Sequence, residues 1–313
     1  MPRLLVPQPE ETTRVCQLSS DLYFDNVEQF EFEQYQGVSS VKGRLAAHYD
    51  FWESQLKANS YVLDVIKNGY RLPMAEMPPR KFLRNNKSAL NHVPFVTDAI
   101  DALVLSGSVE QVTDIPYIVN PLTVAQNKGG KLRLVLDLRF VNPYVKLDRV
   151  KFDDWQVASQ YLILGGFMFG FDFKSGYHHI DVHKNYQKYL GFSWTVQGVT
   201  KFYQFTVLPF GLVTAGLIFT KVVRCLVKHW RAQSIRAVVY LDDGLVIEQD
   251  YDTAIRHSCM VRRDLINAGF VIQALKSIWV PVQIFTWLGI TADLAQGTLN
   301  VPEGRVQACF ISR

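Results

Sequence analysis

Apolar residues recur at helical spacing in the first third of the chain. The ranges Val41–Lys57 and Ser60–Lys67 both show this spacing, and Gly69 with the prolines that follow it ends the pattern. A further helix is predicted at about Val96–Leu105, where the apolar residues share one face. The pattern therefore predicts a helical N-terminal region over residues 41–110.

Beyond residue 117, short apolar runs alternate with turn residues and longer helical patterns. The runs on either side of residues 127–130 predict a β-hairpin. The predicted strands are Leu122–Ala125, Leu132–Leu138, Phe167–Phe173, Tyr189–Trp194, Lys201–Val207, Ala237–Leu241, Leu245–Glu248 and Trp287–Thr291. The predicted helices are Phe152–Leu164, Thr214–Trp230 and Ala254–Ala268. This mixture indicates the α+β fold class.

Two adjacent acidic residues, Asp242 and Asp243, separate two apolar, strand-like runs within residues 237–247 and are followed by Gly244. An isolated Asp-Asp-Gly sequence is usually a simple turn. Adjacent carboxylates repel each other, however, and their position between buried strands favours compensation by a divalent cation. The sequence predicts a hairpin with carboxylates at its tip.

A third acid, Asp172, interrupts the aromatic run Phe169–Phe173. Alone it could be an outward-facing strand residue. With Asp242 and Asp243 it completes a set of carboxylates of the kind that holds two Mg²⁺ ions about 3.5–4 Å apart, with Mn²⁺ as an alternative ion. The three residues are predicted to be metal ligands and catalytic residues.

Composition and charge agree with a globular protein that has a polyanionic partner. The 313 residues are 48% hydrophobic and 13% aromatic, which is enough to bury a large core. Of the net charge of +4, residues 1–34 contribute −5 and the rest of the chain +9. A basic body favours nucleic acid, although an ordinary soluble surface could look the same. Residues 1–40 are acidic and aperiodic, and are predicted to be a disordered leader.

Cysteine usage and hydropathy limit the cellular setting. The four cysteines are scattered without a CxxC pair, which argues against a disulfide framework or a zinc site. The sequence contains neither a long apolar run typical of a membrane span nor a signal peptide. We therefore expect an intracellular protein of the cytoplasm or nucleus that does not engage a membrane.

Five segments, in this order, resemble the motif set of retroelement reverse transcriptases. They are residues 132–142, 171–180, 208–212, 240–243 and 287–290. Their amino-acid sequences are most similar to those of DIRS-like retrotransposons, with gypsy-type elements next. The resemblance extends from Gly43 through Ile290 and includes Phe51-Trp52, Asn68-Gly69-Tyr70 and Pro78-Pro79-Arg80.

The resemblance implies a right-hand polymerase with fingers at about 111–161 and 181–212 and a palm at about 162–180 and 213–291. It implies an RNA-directed DNA polymerase that adds dNTPs to a primer 3′-hydroxyl on an RNA or DNA template. Only 23 residues follow Ile290. Residues 292–313 are therefore expected to be the truncated start of the connection to a thumb, with the thumb and RNase H missing.

The resemblance also assigns substrate contacts. Tyr177 is expected beneath the sugar of the incoming nucleotide, where its bulk would clash with a ribose 2′-hydroxyl. Arg133 is expected to pack over the incoming base and reach its phosphates, with Lys131 assisting. Phe210 and Gly211 are expected in a turn that supports the nucleotide, where glycine lets the backbone approach closely.

Three further observations have more modest interpretations. Lys276 matches a family lysine proposed to donate a proton to pyrophosphate, although an exposed lysine without a role fits nearly as well. His179 and His183 are too far apart on an extended segment to share one metal ion, and are interpreted as structural or solvent-facing. Asp137 and Arg139 are interpreted as a structural pair or strand-surface residues.

Two alternative functions stay open. A truncated or domesticated retroelement fragment could bind nucleic acid without polymerase activity. The intact acids favour recent activity, whereas the abrupt end at Ile311-Ser-Arg313 favours a fragment. A palm-type nucleotide cyclase is the other alternative, but it would have no use for Arg133 or for the turn at residues 208–212.

Overall fold

The fold is described from a computed structural model, which covers residues 40–127, 129–148 and 150–301. Within these ranges helices and strands mix as the α+β prediction requires. The predicted disordered leader, apart from Ser40, and residues 302–313 lie outside the described residues. No helix in the described ranges is long and apolar enough to cross a membrane.

The helices differ widely in length, and the two longest follow the predicted chemistry-bearing turns. The α-helices are α1 (Arg44–Ala47), α2 (Ser60–Asn68), α3 (Lys87–Leu90), α4 (Val93–Leu105), α5 (Trp155–Ala158), α6 (Lys184–Gln187), α7 (Ala215–Ala232) and α8 (Tyr251–Asn267). A π-helix spans Phe51–Gln55, and 3₁₀ turns span Asn142–Tyr144, Ser159–Tyr161, Gly176–His179 and Ala274–Lys276.

The strands form four sheets in the described part of the chain. They are β1 (Lys81–Phe82), β2 (Val109–Val112), β3 (Ile118–Asn120), β4 (Leu122–Gln126), β5 (Leu132–Leu136), β6 (Phe167–Asp172), β7 (Gly191–Val196), β8 (Val199–Phe205), β9 (Ala237–Tyr240), β10 (Asp243–Glu248), β11 (Ile278–Val282), β12 (Ile284–Trp287), β13 (Ile290–Asp293) and β14 (Thr298–Asn300). The sheet orders are β1-β3-β7-β8-β2, β11-β6-β10-β9, β12-β13-β14 and β4-β5.

The β11-β6-β10-β9 sheet forms the centre of the fold because its inner strands are covered on both faces. Strands β6 and β10 are almost continuously buried, as their unbroken apolar sequences predict. Helix α7 packs on β9, and α8 packs on β6, β10 and β11. On the other face, Met168, Leu245 and Ile247 form one core with Trp287. The sheet is therefore held between a helical layer and the β12–β13 hairpin.

The predicted hairpin around residues 127–130 is confirmed, since β4 and β5 pair antiparallel from Leu122 opposite Leu136 to Gln126 opposite Leu132. The predicted strand Trp287–Thr291 is wrong. Strand β12 ends at Trp287 and β13 begins at Ile290. Leu288 and Gly289 have φ values of 47° and 76°, which makes a tight two-residue turn of the left-handed kind.

Two helix predictions were too long. The range predicted at Val41–Lys57 starts later, after Gly43 with its φ of 73°, and divides into α1 and a π-helix. The range predicted at Phe152–Leu164 starts only after Asp154, whose carboxylate accepts from the backbone N–H groups of the first turn of α5. The region predicted as helical also supplies β1 and β2 to the five-stranded sheet, so residues 41–110 are not a purely helical region. The proposed limits of fingers and palm stay a prediction.

Three N-terminal side chains contact the carbonyl groups at the end of α8. Trp52 is fully buried and its Nε1–H donates to the carbonyl of Ala268 at 2.9 Å. Arg44 Nε donates to the carbonyl of Gly269 at 3.0 Å, and His48 Nδ1 lies 2.8 Å from the carbonyl oxygen of Asn267. These carbonyls have no partner within the helix. The N-terminal residues thus complete the end of a helix more than two hundred positions away.

We expect Trp52→Phe to lower the free energy of unfolding by about 1–3 kcal/mol, because it leaves the carbonyl of Ala268 buried without its donor. Leu105→Ala is the control, since Leu105 is 81% exposed, and should change stability by less than about 0.5 kcal/mol. Urea unfolding followed by fluorescence and circular dichroism measures both. Equal stability of the two variants would show that the Trp52 contact is dispensable.

Candidate active site

Strands β6 and β10 bring the three predicted acids together. Asp172 ends β6 and Asp243 begins β10, and the two residues are direct partners in the antiparallel ladder. Such partners place their side chains on the same face of a sheet, about 5 Å apart at Cβ. Asp242 lies in the two-residue turn between β9 and β10, and its carbonyl accepts from Phe173 N–H at 3.1 Å. One end of the central sheet therefore carries all three carboxylates.

Gly244, which follows the two adjacent acids, leaves room for a large aromatic ring on the neighbouring strand. It is paired with Phe171 across the ladder, and a Cβ at Gly244 would lie 2.3 Å from the Phe171 ring. The Phe171 ring in turn stacks on Trp279 at 5.9 Å between centroids. Glycine is required here because the aromatic layer on the helical face occupies the space of a side chain.

The segment 273–277 fixes Asp172 through its backbone and its side chain. Asp172 N–H donates to Ser277 Oγ at 3.1 Å, and Gln273 N–H donates to the carbonyl of Asp172 at 2.8 Å. Lys276 Nζ lies 3.0 Å from Asp172 Oδ2. The structure thus places Lys276 beside the predicted acids. The sequence did not indicate the contacts of Ser277 and Gln273 with Asp172, because the fold alone brings these distant residues together.

Two tryptophans support Asp243 from the opposite side. Trp287 Nε1–H donates to the carbonyl of Asp243 at 3.2 Å, and Trp155 Nε1–H donates to the carbonyl of Trp287 at 2.9 Å. Their rings pack edge to face with centroids 5.4 Å apart. Sequence reasoning missed both contacts because each indole donates to the backbone carbonyl of a residue distant in the sequence.

The carboxylates carry more negative charge than their surroundings neutralise. Burial, followed by the charges of Asp242 and Asp172, raises the pKa of Asp243 to about 6. The pKa of Asp242 is also raised, by desolvation in the cleft and by Asp172, although its side chain reaches solvent at the tip of the turn. Lys276 and Arg133 act in the opposite direction on Asp242. The site therefore favours an additional cation.

The donor set fits a hard divalent ion, since carboxylate oxygens are the ligands that Mg²⁺ prefers. Within the described ranges, no three His, Cys, Asp or Glu side chains are already arranged as a metal cage. Mg²⁺ commonly takes only one or two carboxylates and completes its shell with phosphate and water. A cavity of about 290 Å³, lined by Asp172, Asp243, Lys276 and the β12–β13 hairpin, adjoins the carboxylates.

An aromatic surface lies next to the acids. Tyr177 is in the 3₁₀ turn that follows Asp172, and burial together with the charge of Asp242 raises its pKa. Its ring contacts that of Phe210 at 5.1 Å, and Phe210 is 47% exposed. Gly211 has a φ of 106°, and a Cβ there would lie 2.3 Å from the carbonyl oxygen of Leu136. The predicted residues Tyr177, Phe210 and Gly211 are thus brought together.

The two predicted basic residues of the β4–β5 hairpin have different positions. Arg133 is an exposed residue of β5, and its charge lowers the pKa of Asp242, which places it on the side of the acids. Lys131 precedes β5 and is exposed, and its backbone N–H donates to Asn127 Oδ1 within the hairpin turn. The structure associates Arg133 with the acids and shows no corresponding contact between Lys131 and the acids in the described residues.

The residues interpreted as structural have structural contacts. Arg139 Nε and Nη2 donate to the carboxylate of Asp137 at 2.9 and 2.5 Å. These bonds are the main reason that the pKa of Asp137 is lowered to about 2. Buried His179 accepts from Val271 N–H at 3.0 Å, and His183 caps α6 by accepting from Asn185 N–H. The interpretation of both pairs is confirmed.

Two curated relatives are similar over more than half of the chain. The genome polyprotein of Petunia vein clearing virus is 28% identical over 177 residues, or 56% of this chain and 8% of that protein. The transposon Tf2-3 polyprotein of Schizosaccharomyces pombe is 27% identical over 226 residues, or 71% of this chain and 15% of that protein. The chain thus spans a small part of the length of these relatives.

The fold is similar to a solved structure of the foamy viral protease-reverse transcriptase in complex with an RNA/DNA hybrid. The TM-score is 0.59 with 18% sequence identity, over 84% of this chain and 37% of that chain. At this identity the likeness shows the fold.

A family model described as reverse transcriptase (RNA-dependent DNA polymerase) matches residues 125–292, which is just over half of the 313 residues. The match includes β6, β10 and the turn between β9 and β10, and hence all three acids. On this evidence the chain is a member of the reverse transcriptase (RNA-dependent DNA polymerase) family.

Proposed function

We propose that this chain is the catalytic part of an RNA-directed DNA polymerase, which adds deoxynucleotides to a primer 3′-hydroxyl. The observation that carries the proposal is the pairing of Asp172 with Asp243 in one ladder, with Asp242 beside them in the turn. The exposed aromatic surface next to these acids supplies a place for a base and a sugar. Nucleotidyl transfer needs a site for metal ions and a site for the nucleotide, and the acids and the aromatic surface supply these two sites.

Asp172, Asp242 and Asp243 would hold the divalent ions, two Mg²⁺ or in their place Mn²⁺. When bound, such ions promote ionisation of the attacking hydroxyl and neutralise the leaving pyrophosphate. Lys276, with its ammonium group 3.0 Å from Asp172 Oδ2 and 63% of its side chain exposed, can turn toward a leaving phosphate and give it a proton. Arg133 offers a planar guanidinium suited to bidentate contact with the triphosphate.

Tyr177 would exclude ribonucleotides. Its ring contacts the exposed ring of Phe210 at 5.1 Å and the buried ring of Phe219 at 5.6 Å, so movement toward the core would disturb Phe219. A ribose 2′-hydroxyl above the ring would meet this obstacle, whereas a deoxyribose would not. Phe210 would lie beneath the nucleotide.

The natural template is proposed to be RNA, with DNA as a second template. The excess of positive charge on the chain beyond residue 34 supports a nucleic-acid partner. The solved relative that binds an RNA/DNA hybrid has the same fold. A DIRS-like origin, suggested by the motif sequences, and an RNase H domain downstream are part of the same proposal. So is action in the cytoplasm or nucleus.

Primer extension with Mg²⁺ tests the proposal directly. We expect Asp172→Asn and Asp243→Asn each to slow single-nucleotide incorporation by roughly 10³-fold or more, because a catalytic metal ion contributes several kcal/mol of charge stabilisation. Asp148→Asn is the control, since the Asp148 side chain is 78% exposed and pairs only with Lys221 among the described residues, and it should retain full activity.

Fluorescence anisotropy with a labelled primer-template accompanies this test. The Asn variants should bind as tightly as the parent, because removing negative charge near phosphates does not weaken the contact. A parent that binds primer-template but incorporates nothing would favour the non-catalytic retroelement fragment and contradict the proposal.

Sugar selection provides a second test. We expect Tyr177→Ala to lower the preference for dNTP over rNTP by at least about tenfold, because the truncation removes the steric barrier to the 2′-hydroxyl. The measurement is the ratio of kcat/KM values for one dNTP and its ribonucleotide. Tyr61→Ala, at a residue that is 46% exposed, should keep the parental ratio; the same ratio in Tyr177→Ala would exclude the steric role.

The charge imbalance predicts an unusual dependence of stability on pH. Because the pKa of Asp243 is raised from 3.8 to about 6, the folded protein retains this proton longer than the unfolded chain. Stability therefore falls as pH rises from about 4 to about 6 and stays lower above that range. In the presence of a chelator at pH 7.5, Asp243→Asn should stabilise the protein by roughly 1 kcal/mol, a value reduced for partial exposure.

Asp137→Asn is a matched control of opposite sign. The pKa of Asp137 is lowered to about 2, so its contribution is fully present above pH 3.8 and is lost only as pH falls toward 2. This variant should melt at a lower temperature than the parent at pH 7.5.

Adding Mg²⁺ should raise the Tm of the parent but not of Asp243→Asn. A lower Tm for metal-free Asp243→Asn would contradict the proposed charge imbalance.

A further inference from the structure

The turn that carries Phe210 is held by one side chain from a distant part of the sequence. We call residues 208–212 the aromatic turn. Asn142 Nδ2 donates to the carbonyl of Gly211 at 2.9 Å, and Asn142 Oδ1 accepts from Val213 N–H at 3.0 Å. A single amide group thus bridges the backbone on both sides of Leu212.

Asn142 is itself fixed to the segment that follows β5. Its backbone N–H donates to the carbonyl of Leu138 at 2.8 Å, and it begins the 3₁₀ turn Asn142–Tyr144. The aromatic turn contacts the same segment a second time, because Gly211 lies against the carbonyl of Leu136 with no room for a Cβ. Two independent contacts therefore set the aromatic turn against β5.

The other end of the aromatic turn has a different anchor. Leu208 N–H donates to the carbonyl of Ile180 at 3.0 Å, close to the 3₁₀ turn that carries Tyr177. Phe210 lies between the two anchors, with its ring 5.1 Å from Tyr177 and 5.8 Å from His178. The position of the Phe210 ring therefore depends on β5 at one end of the aromatic turn and on the segment that carries Tyr177 at the other.

The chemistry of the side chain is specific. The bridge needs one donor for a carbonyl and one acceptor for an N–H within the reach of a short side chain, and among the side chains of this length only the asparagine amide supplies both. An aspartate of the same size could accept from Val213 but would place its second oxygen against the carbonyl of Gly211. Size alone would not distinguish the two residues.

We propose that Asn142 is a positioning residue for nucleotide selection. It fixes the Phe210 ring and, through the Phe210–Tyr177 contact, the surface on which the sugar is tested. Arg133 lies on β5, and Gly211 packs against the carbonyl of Leu136 on the same strand. Strand β5 therefore sets the position of the phosphate contact and of the aromatic surface together. This inference rests on the proposed polymerase function and adds a role that the acids, Tyr177 and Arg133 do not supply.

The test compares Asn142→Ala and Asn142→Asp with Asn85→Ala. Asn85 makes the same kind of bridge between β4 and β7, since its Nδ2 donates to the carbonyl of Ser193 at 2.9 Å and its Oδ1 accepts from Leu122 N–H at 2.8 Å. All three variants and the parent are assayed for single-dNTP incorporation, for the dNTP to rNTP preference, for primer-template affinity and for Tm.

Asn142→Ala should raise the KM for dNTP by about tenfold, because the released aromatic turn has to be ordered again when the nucleotide binds. It should also lower the dNTP to rNTP preference, while kcat and primer-template affinity stay within about twofold. Asn142→Asp should share these changes despite its equal size. Asn85→Ala should lower Tm by a similar amount without altering KM or preference. Unchanged KM and preference in Asn142→Ala would overturn the inference, as would the same KM change in Asn85→Ala.

Hydrogen exchange separates failure of this inference from failure of the polymerase proposal. Peptides covering residues 209–213 should exchange faster in Asn142→Ala than in the parent, because Val213 N–H loses its acceptor. Asn142→Asp should retain most of that protection. Unchanged exchange in Asn142→Ala would disprove the bridge itself. A parent that extends no primer would refute the polymerase function and with it the selection role, whatever the exchange data show about the bridge.

Discussion

The antiparallel register of β6 and β10 is the constraint on which the site depends. Since side chains alternate between faces of a strand, a shift of one residue would move Asp243 to the helical face and leave Asp172 opposite Gly244. The register is fixed by the buried, largely apolar residues that precede Asp172 on β6 and follow Asp243 on β10. Hydrophobic burial along the rest of the ladder therefore offsets the electrostatic repulsion between the carboxylates.

The contacts around the acids are mostly made to their backbone rather than to their carboxylates. Trp287 donates to the carbonyl of Asp243, whereas Ser277 and Gln273 bond the N–H and the carbonyl of Asp172. This arrangement holds the main chain of Asp172 and Asp243 in place independently of their carboxylates. Lys276 is the described side chain with an ion pair to Asp172, and its exposed position allows it to withdraw.

Much of the fold and the acids themselves could be predicted from the sequence because the signals are local. The apolar runs of β6 and β10, the turn at Asp242 and the β4–β5 hairpin all follow from neighbouring residues. The contacts of Trp155, Ser277 and Asn142 could not be predicted, since each joins positions 69 or more residues apart through a backbone atom. A backbone N–H or carbonyl is the same in every residue except proline, so neither residue type nor spacing points to it. The error at residues 287–291 is of another kind: Gly289 was available as a turn signal, but the continuous apolar run concealed it.

The contacts at the end of α8 affect how a minimal folding unit should be defined. The family match begins at residue 125, but the carbonyls of Asn267, Ala268 and Gly269 are bonded by residues 44–52. Strands β1 and β2 are likewise edge strands of a sheet whose inner strands are β3, β7 and β8. A fragment cut at the family boundary would lose these two strands together with β3 and most of β4, and would leave buried helix carbonyls without donors. The family match contains the three acids, whereas the contacts that complete the end of α8 begin about eighty residues earlier, at Arg44.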